Sequence, residues 1–311
     1  MSKVSVLMSV YNTCEEFLRE AIESILNQTY KDFEFLIIND GSKNNAEEVI
    51  KSYDDSRIRY IKNEQNLGLI GSLNKGLELA SGEYIARFDS DDKSRPERLE
   101  KQVKFMDENP QVGLLGAQYQ SFPKIRVSDG FTNNKDIKEA MLINCNQFGH
   151  PTVMIRKSML NGLKYDKNAL YVEDYKLWLD MMPLCDFANL PEVLLDYRKH
   201  KGSICRNKNN TIIQNSNVQK IMFEAQEKYF SINCEKPLSL IKNLNDNKQI
   251  VVEDLLSVVD FVNEVEKETE KYVAPYRLNH IWAKWAVKKC KKNFSFYKHL
   301  FKKDLQIFFE K

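Results

Sequence analysis

The sequence contains no paired-cysteine motif. Its six cysteines are scattered along 311 residues, and no Cys-x-x-Cys pair occurs. This spacing argues against a zinc knuckle and against a thioredoxin-type redox site, because both need closely spaced cysteines. We therefore expect most of these cysteines to be free thiols in a reducing compartment.

The sequence also lacks a long apolar run. No uninterrupted apolar stretch reaches the ~18 residues of a membrane-spanning helix. The short apolar run at residues 4–10 is not followed by a small-residue cleavage site, and it predicts a strand rather than a signal peptide. These features predict a cytoplasmic protein, and they leave open a peripheral contact with the inner face of the cytoplasmic membrane.

A strong net charge is absent as well. The formal net charge is +2 at pH 7, so the molecule as a whole is not built to bind polyanions, and we expect no nucleic acid partner. The hydrophobic fraction of 42% is sufficient for a packed core and argues against a disordered chain.

The first hundred residues contain an alternation of strand and helix patterns. Apolar runs predict strands at residues 4–10, 33–38, 58–61 and 84–88, and helical patterns lie between them. Strands separated by helices pair in parallel, so this half predicts an α/β fold with a mostly parallel central sheet flanked by helices. At the start of the first helix, Thr13 and Glu16 fit a capping box.

Polar residues follow three of these predicted strands, at the point where each strand ends. Tyr11 and Asn12 follow the first strand, Asp40 follows the second, and an acidic run at 89–92 follows the fourth. Ligands of parallel sheets bind outside the carboxyl ends of the strands. The polar residues are therefore expected to converge on one rim, which suggests a nucleotide site.

The acidic run Asp89-Ser90-Asp91-Asp92 admits two interpretations. Its carboxylates are hard oxygen ligands that suit Mg²⁺ or Mn²⁺, and a metal there could bridge the phosphates of a nucleoside diphosphate. A solvated acidic turn that caps a helix near Pro96 explains the same spacing. Spacing alone leaves both interpretations open.

The order of the motifs resembles glycosyltransferase family 2. Four motifs lie in the first hundred residues, namely VLMSVYN at 6–12, NDGS at 39–42, NLG at 66–68 and DSDD at 89–92. Four more follow, namely RPERLE at 95–100, HPTVM at 150–154, EDYKLW at 173–178 and YRKH at 197–200. The resemblance covers residues 1–215, and it implies the GT-A fold and the transfer of a sugar from a nucleotide-sugar.

The resemblance also divides the chain. We expect a GT-A glycosyltransferase domain at 1–215, with a nucleotide-binding half at 1–100 and an acceptor-binding half at 101–215. A helical, basic C-terminal region at 216–311 lies outside the resemblance. Its lysines and aromatic residues predict contact with an anionic membrane, while binding to a partner or packing onto the catalytic domain are alternatives.

The resemblance implies a nucleotide subsite and a metal. Asp40 would accept a hydrogen bond from the base or the ribose, although this chain has Asn39 where the family motif has another aspartate. Mn²⁺ or Mg²⁺ would bind Asp91 and His200. The other residues implied to contact the nucleotide are Val10, Tyr11, Asn12, Asn66, Gly68, Asp89 and Ser90. For Gly68, a turn with positive φ is an interpretation that can hold alongside this role.

Arg198 and His150 are implied to face the diphosphate and the acceptor, respectively. A cationic Arg198 would offset phosphate charge. His150 would line the acceptor side, and its alternative is a structural role at the start of a strand, directly before Pro151. A lone histidine is usually structural, so the same alternative applies to His200.

Glu173 and Asp174 form a second acidic site, at the start of a predicted helix. In the resembled family the aspartate at this position is the general base that takes a proton from the acceptor hydroxyl. Asp174 is accordingly assigned that role, with Glu173 orienting the acceptor. Negative charge also favours the free N–H groups of a helix N-terminus, so capping alone is the alternative.

Together these features predict an inverting, metal-dependent glycosyltransferase. Its donor is expected to be a UDP-sugar, and its acceptor a glycan or an undecaprenyl-diphosphate-linked glycan of a bacterial surface polysaccharide such as lipopolysaccharide or capsule. A sugar-phosphate nucleotidyltransferase is one alternative, but the Gly-rich N-terminal loop of such enzymes is replaced here by Ser9-Val10-Tyr11-Asn12. A sugar-nucleotide-binding protein without transferase activity is the other.

Overall fold

The computed structural model describes residues 2–142, 146–200, 202 and 208–230. Residues Met1–Ile221 form one compact unit, and Met222–Lys311 form a second, of which 222–230 are described. The predicted membrane-contacting lysines of the C-terminal region lie outside the described residues. The predicted domain boundary at 215 stays a prediction.

The first half of the fold is a four-stranded parallel sheet, as predicted. Its strands are β1 (Val4–Val10), β2 (Phe33–Asn39), β3 (Ile58–Lys62) and β4 (Tyr84–Asp89), and their order is β3-β2-β1-β4. The connecting helices are α1 (Glu15–Leu26), α2 (Ala46–Lys51) and α3 (Gly68–Leu79). Because all four strands run in one direction, their carboxyl ends share one edge of the sheet.

The core lies on both faces of this parallel sheet. Val6 and Met8 of β1 pack in one cluster with Leu18 and Ile22 of α1, and all four are fully buried. On the other face α3 approaches β1 closely, since a Cβ built on Gly76 would lie 2.1 Å from a methyl carbon of Leu7. Burial on both faces explains why these strands are apolar throughout rather than alternating.

The second half extends the sheet with strands of mixed direction. The added strands are β5 (Lys93–Ser94), β6 (Val112–Phe122), β7 (Arg126–Val127), β8 (Met154–Arg156) and β9 (Asp186–Arg198). The strand β8 is antiparallel to both β4 and β6, whereas β6 and β9 are parallel. The helices of this half are α4 (Arg98–Glu108), α5 (Asn134–Leu142), α6 (Glu173–Met181) and α7 (Lys208–Phe230).

Two predicted element boundaries in this half were wrong. The predicted strand at 150–156 begins with a 3₁₀ turn, His150–Thr152, because the Thr152 N–H and hydroxyl both donate to the Gly149 carbonyl, at 2.8 and 2.7 Å. The Asn-rich composition of residues 207–217 is typical of a loop and predicts one there, yet α7 begins at Lys208. The Gln214 side chain donates to the carbonyl of Tyr171, and the Asn217 side chain donates to that of Leu170. These two bonds connect the polar helix α7 to the loop before α6.

The predicted capping box at Thr13 was also wrong. The helix α1 begins one residue later, with Cys14 as its N-cap and no capping hydrogen bond from a side chain. The Thr13 hydroxyl instead lies 2.7 Å from the Ser90 hydroxyl. A contact between residues 77 positions apart has taken the place of the local one, which a local pattern could not reveal.

In the part of the chain that the structure describes, no helix has the length and apolar character needed to cross a membrane.

Candidate active site

Three loops meet at the shared carboxyl edge of β1, β2 and β4. The Asp40 N–H donates to the Val10 carbonyl at 2.8 Å, and the Asn12 N–H donates to the Ser42 hydroxyl at 3.0 Å. The Thr13–Ser90 contact connects the first loop to the acidic run. The structure thus brings together the residues that the sequence placed on one rim.

Asp40 lies buried at the base of this rim. Its Oδ1 accepts hydrogen bonds from the Asn63 side-chain amide and from the Leu67 N–H, both at 2.8 Å. Asn63 directly follows β3 and was not among the predicted site residues. Its place at the carboxyl end of the third strand is the feature that could have indicated it. Asp40 is therefore held between the second and third strand ends.

Asn39 stands where the family motif has another aspartate, and its contacts explain this difference. Its amide donates to the Tyr60 hydroxyl and its Oδ1 accepts from the Ser42 N–H, both at 3.0 Å. A carboxylate can only accept, so an ionised aspartate could not make the first of these bonds as a donor. The neutral amide side chain of Asn39 therefore fits this buried position.

The loop before α3 has the geometry of a tight turn. Gly68 has φ of +74°, and its N–H donates to Oδ1 of Asn66 at 3.0 Å. This confirms the positive-φ interpretation of Gly68. Tyr11 stands at the opposite side of the rim with 51% of its surface exposed, so its ring face is available for a planar ligand.

The acidic run forms a compact cluster. Asp89, Asp91 and Asp92 each offer a carboxylate oxygen, and these oxygens lie within 4.8 Å of one another. His200 Nε2 lies 2.8 Å from Oδ2 of Asp91. The structure thus places the two predicted metal ligands in contact and adds Asp92, for which the sequence suggested no role.

The donor set of this cluster fits a divalent cation. Carboxylate oxygens suit Mn²⁺ or Mg²⁺, and an imidazole nitrogen can additionally ligate Mn²⁺. Asp92 is buried, and its Oδ1 accepts from the Arg198 N–H at 2.7 Å. Its Oδ2 is also buried, and it has no hydrogen-bond partner among the described residues. Burial, followed by the charges of Asp89 and Asp91, raises the pKa of Asp92 well above its usual range. A bound cation would supply the positive charge that compensates these three carboxylates.

A buried arginine compensates part of this negative charge. Arg87 lies inside β4, and its Nη1 is 2.6 Å from Oδ2 of Asp89. Arg87 was not among the predicted site residues, although its position in the strand indicated that it would lie near the acidic run. In a strand, residues two positions apart share a face, so Arg87 had to lie beside Asp89.

Glu173 and Asp174 begin α6 at the same rim. Oδ2 of Asp174 accepts from the Asn146 amide at 2.9 Å and Oδ1 accepts from the Tyr175 N–H at 2.7 Å. Burial raises the pKa of Asp174, while the Tyr175 N–H, the charge of Arg87 and the Asn146 amide oppose that rise. Asp174 lies in the first turn of α6, and its bond from the Tyr175 N–H is compatible with a role at the helix N-terminus as well as with the predicted base.

His150 faces a tyrosine rather than solvent. Its Nε2 lies 3.0 Å from the Tyr165 hydroxyl, and its ring meets the buried Trp178 edge-on, with centroids 6.0 Å apart. Burial, followed by the charge of Arg87, lowers the pKa of His150 well below its usual range, so the ring is neutral. Trp178 itself is a fully buried core residue.

The backbone of Tyr165 is fixed from α3. Asn74 accepts from the Tyr165 N–H at 2.9 Å and donates to its carbonyl at 2.8 Å. Neither residue was predicted to belong to the site, because a contact between positions 91 residues apart leaves no local pattern in the sequence. One asparagine thereby connects the helix beside Asp40 to the loop that leads into Glu173 and Asp174.

Glu173 provides a test of the electrostatics of this rim. Burial, followed by the charge of Asp174, raises the pKa of Glu173 to about 7. Folding therefore becomes less favourable as pH rises from the unfolded pKa toward 7, and Glu173→Gln should remove that cost. We expect the variant to exceed the wild type in free energy of unfolding by about 1–3 kcal/mol at about pH 8, and to match it at about pH 4.

Denaturant titrations at the two pH values measure this difference. Glu108→Gln, at an exposed glutamate at the end of α4, is the matched control and should leave the free energy of unfolding unchanged. A Glu173→Gln variant that is no more stable than the wild type at the higher pH would contradict the charge repulsion described here.

Comparisons with known proteins agree with this geometry. Residues 5–161 match the family described as Glycosyl transferase family 2. An uncharacterized glycosyltransferase of Methanocaldococcus jannaschii is 39% identical over 209 residues, covering 63% of this chain and 70% of that protein. The Escherichia coli protein WfaP, named as a UDP-Glc:alpha-D-GlcNAc-diphosphoundecaprenol beta-1,3-glucosyltransferase, is 33% identical, with coverage of 71% and 86%.

Solved structures share the fold at low sequence identity. TarS of S. aureus in complex with UDP-GlcNAc superposes with a TM-score of 0.58 and 17% identity, covering 89% of this chain and 83% of that chain. The mannosyltransferase PcManGT of Pyrobaculum calidifontis, in complex with GDP-Man and Mn²⁺, gives a TM-score of 0.54 and 15% identity, covering 94% and 88%. The predicted GT-A fold is thereby confirmed.

Proposed function

Because this chain belongs to glycosyltransferase family 2, we propose that it is an inverting, metal-dependent transferase that moves a sugar from a UDP-sugar to a lipid-linked glycan. The observation that carries the proposal is the shared rim. Burial, followed by the charge of Asp174 and more weakly that of Asp89, raises the pKa of Glu173. Arg87 pairs with Asp89 at 2.6 Å and its charge also acts on Asp174, so the proposed base and the acidic cluster are electrostatic neighbours. A sugar bound at this rim can meet both.

The donor is proposed to lie between Tyr11 and Asp40 with its diphosphate toward Asp91. Asp40 is buried and fixed by two donors, which suits recognition of a base or ribose edge. A uridine nucleotide is chosen because WfaP is named for UDP-Glc. Asn66, Gly68, Asp89 and Ser90 are proposed to complete the nucleotide subsite with the backbone of Val10 and Asn12.

The metal is proposed to bind Asp91 and His200, with Asp92 beneath them. Bound there, Mn²⁺ or Mg²⁺ would supply positive charge to the departing diphosphate. The protein itself contributes the fixed positions of the ligands. The Asp91–His200 contact and the unpaired oxygen of Asp92 are what support this assignment.

Asp174 is proposed as the general base. It takes the proton of the acceptor hydroxyl while that oxygen bonds to the anomeric carbon and the bond to the diphosphate oxygen breaks. Asn146 and the Tyr175 N–H fix the carboxylate, so its proton-accepting oxygen keeps one orientation. A single displacement by one base inverts the anomeric configuration.

The acceptor is proposed to be a glycan on undecaprenyl diphosphate, in the synthesis of a bacterial surface polysaccharide. This choice rests on the acceptor for which WfaP is named. Glu173 is proposed to orient the acceptor hydroxyl, and neutral His150 with Tyr165 to line the acceptor side.

Asp174→Asn tests the base. The amide keeps the shape of the carboxylate but cannot take a proton, so we expect transfer to fall about 10²–10⁴-fold with little change in UDP affinity. Transfer rates and calorimetric titration with UDP provide the two readouts. Asp180→Asn on the same helix, where Asp180 pairs with Lys176, is the control and should keep full transfer activity. Unimpaired transfer in Asp174→Asn would refute the assignment.

Asp91→Ala tests the metal. Loss of this carboxylate should remove the Mn²⁺-dependent part of donor binding and leave the metal-independent part unchanged. Binding of a UDP-sugar is measured with Mn²⁺ and with chelator. Asp196→Ala, which removes the partner of Arg95 on β9, should retain the response to Mn²⁺. An Asp91→Ala variant with an unchanged response would exclude Asp91 as a ligand.

Hydrolysis of the donor separates transfer from simple binding. A transferase is expected to hydrolyse its UDP-sugar slowly in the presence of Mn²⁺ when no acceptor is added. Clear binding without turnover of any nucleotide-sugar would instead identify a sugar-nucleotide-binding protein. Screening nucleotide-sugars in this assay also identifies the donor.

The basic C-terminal region is proposed to contact the cytoplasmic face of the membrane, where a lipid-linked acceptor would be met. Reversing three lysines should weaken sedimentation with anionic liposomes about 100-fold, at about 1 kcal/mol for each lysine. The full-length variant carries glutamate at Lys288, Lys289 and Lys292. Its control carries glutamate at three exposed lysines, Lys104, Lys124 and Lys167. Equal sedimentation of the two variants would contradict membrane contact through this region.

A further inference from the structure

Arg198 contacts the acidic run through both its backbone and its side chain. It is the last residue of β9, and its backbone N–H donates to Oδ1 of Asp92 at 2.7 Å. Its side-chain Nε donates to the backbone carbonyl of Asp91 at 2.8 Å. One residue therefore bonds to both Asp91 and Asp92, and neither bond uses the carboxylate of Asp91.

The guanidinium of Arg198 is enclosed by protein groups. Its carbon lies 4.1 Å from the ring centroid of Phe17 and 4.6 Å from that of Phe122. Its Nη2 pairs with Glu20, which is also 2.7 Å from Lys93. Only 11% of the Arg198 side chain is exposed. The ion pair and the two aromatic contacts thus occupy much of the surface through which a ligand would reach this group.

The acidic run needs such an external restraint. Asp89, Asp91 and Asp92 each place a carboxylate oxygen within 4.8 Å of the others, and negative charge on neighbouring carboxylates favours an open turn when no cation is bound. The bond from Arg198 to the Asp91 carbonyl opposes that opening. Phe17, which covers Arg198, also contacts the His200 ring at 5.4 Å between centroids, so the same packing restrains the imidazole beside Asp91.

We propose that Arg198 is a positioning residue that presets the Asp91–Asp92 turn for a divalent cation before any nucleotide arrives, rather than a ligand of the diphosphate. This inference rests on the metal dependence proposed above. It replaces the diphosphate role that the family resemblance implies for Arg198 with one exerted through Asp91. Groups that orient metal ligands from behind influence metal affinity directly.

The test measures Mn²⁺ binding to the full-length protein without nucleotide, by titration followed by electron paramagnetic resonance. We expect the wild type to bind Mn²⁺ and Arg198→Ala to bind it about 10–100-fold more weakly. Arg198→Lys should restore part of the affinity, because a lysine can pair with Glu20 but lacks the planar fork that spans Glu20 and the Asp91 carbonyl. Arg95→Ala, which removes another arginine paired with β9, should bind Mn²⁺ like the wild type.

A second variant protects the test if Arg198→Ala does not fold. Glu20→Gln leaves the acidic run untouched and removes the carboxylate that orients the guanidinium. It should weaken Mn²⁺ binding in the same direction, by a smaller factor. Circular dichroism of each variant establishes that the fold is retained.

Binding of UDP in the presence of chelator distinguishes the two roles of Arg198. A positioning residue leaves this metal-free affinity unchanged. Weaker metal-free UDP binding by Arg198→Ala, together with unchanged Mn²⁺ affinity, would establish a diphosphate ligand and overturn the proposal. A wild type that binds no Mn²⁺ without nucleotide would also overturn it. Neither readout requires turnover, so a protein that presets its metal site but fails in donor hydrolysis would count only against the proposed function.

Discussion

The buried guanidinium of Arg87 is the positive charge that allows five carboxylates to lie close together near the end of β4. These are the carboxylates of Asp89, Asp91, Asp92, Glu173 and Asp174. Arg87 pairs with Asp89 at 2.6 Å and opposes the rise in pKa that burial imposes on Glu173, Asp174 and Asp92. Without this cation inside the strand, burying so many acids together would cost far more free energy. Burial, followed by the same charge, lowers the pKa of His150. The acidic cluster and the proposed base thus depend on one residue beneath both.

The extent to which the sequence predicted this fold differs between its halves. The parallel strands were predictable because they are buried on both faces and read as apolar runs between helical patterns. The second half contains short strands and a 3₁₀ turn at His150–Thr152 whose form depends on the hydroxyl of Thr152 and on pairing with distant strands. Thr13 shows the limit of local patterns most clearly, since a hydroxyl 77 positions away replaced its expected helix cap.

The candidate site was predictable wherever chemistry was concentrated in a short motif. The structure gathers the acidic run, Asp40, Asp174 and His200 as the motifs suggested. Apart from Arg87, which pairs with Asp89 two positions away, the residues that were missed act through partners farther along the chain. Asn146 orients Asp174 from 28 positions away, and Asn74 fixes Tyr165 from 91 positions away. Neutral amides of this kind carry no pattern in a single sequence, and their importance comes only from what they touch.

The contacts of Arg198 and His200 also bear on when the site comes into existence. They reach the acidic run across 106, 107 and 109 positions, and Arg198 reaches Glu20 across 178. Such long loops close late, because chain entropy must be overcome before the contacts form. During synthesis, the acidic run leaves the ribosome about a hundred residues ahead of the strand that closes it. The nascent chain therefore exposes the acidic run before Arg198 and His200 can contact it, and the proposed metal site stays incomplete until β9 has been synthesised.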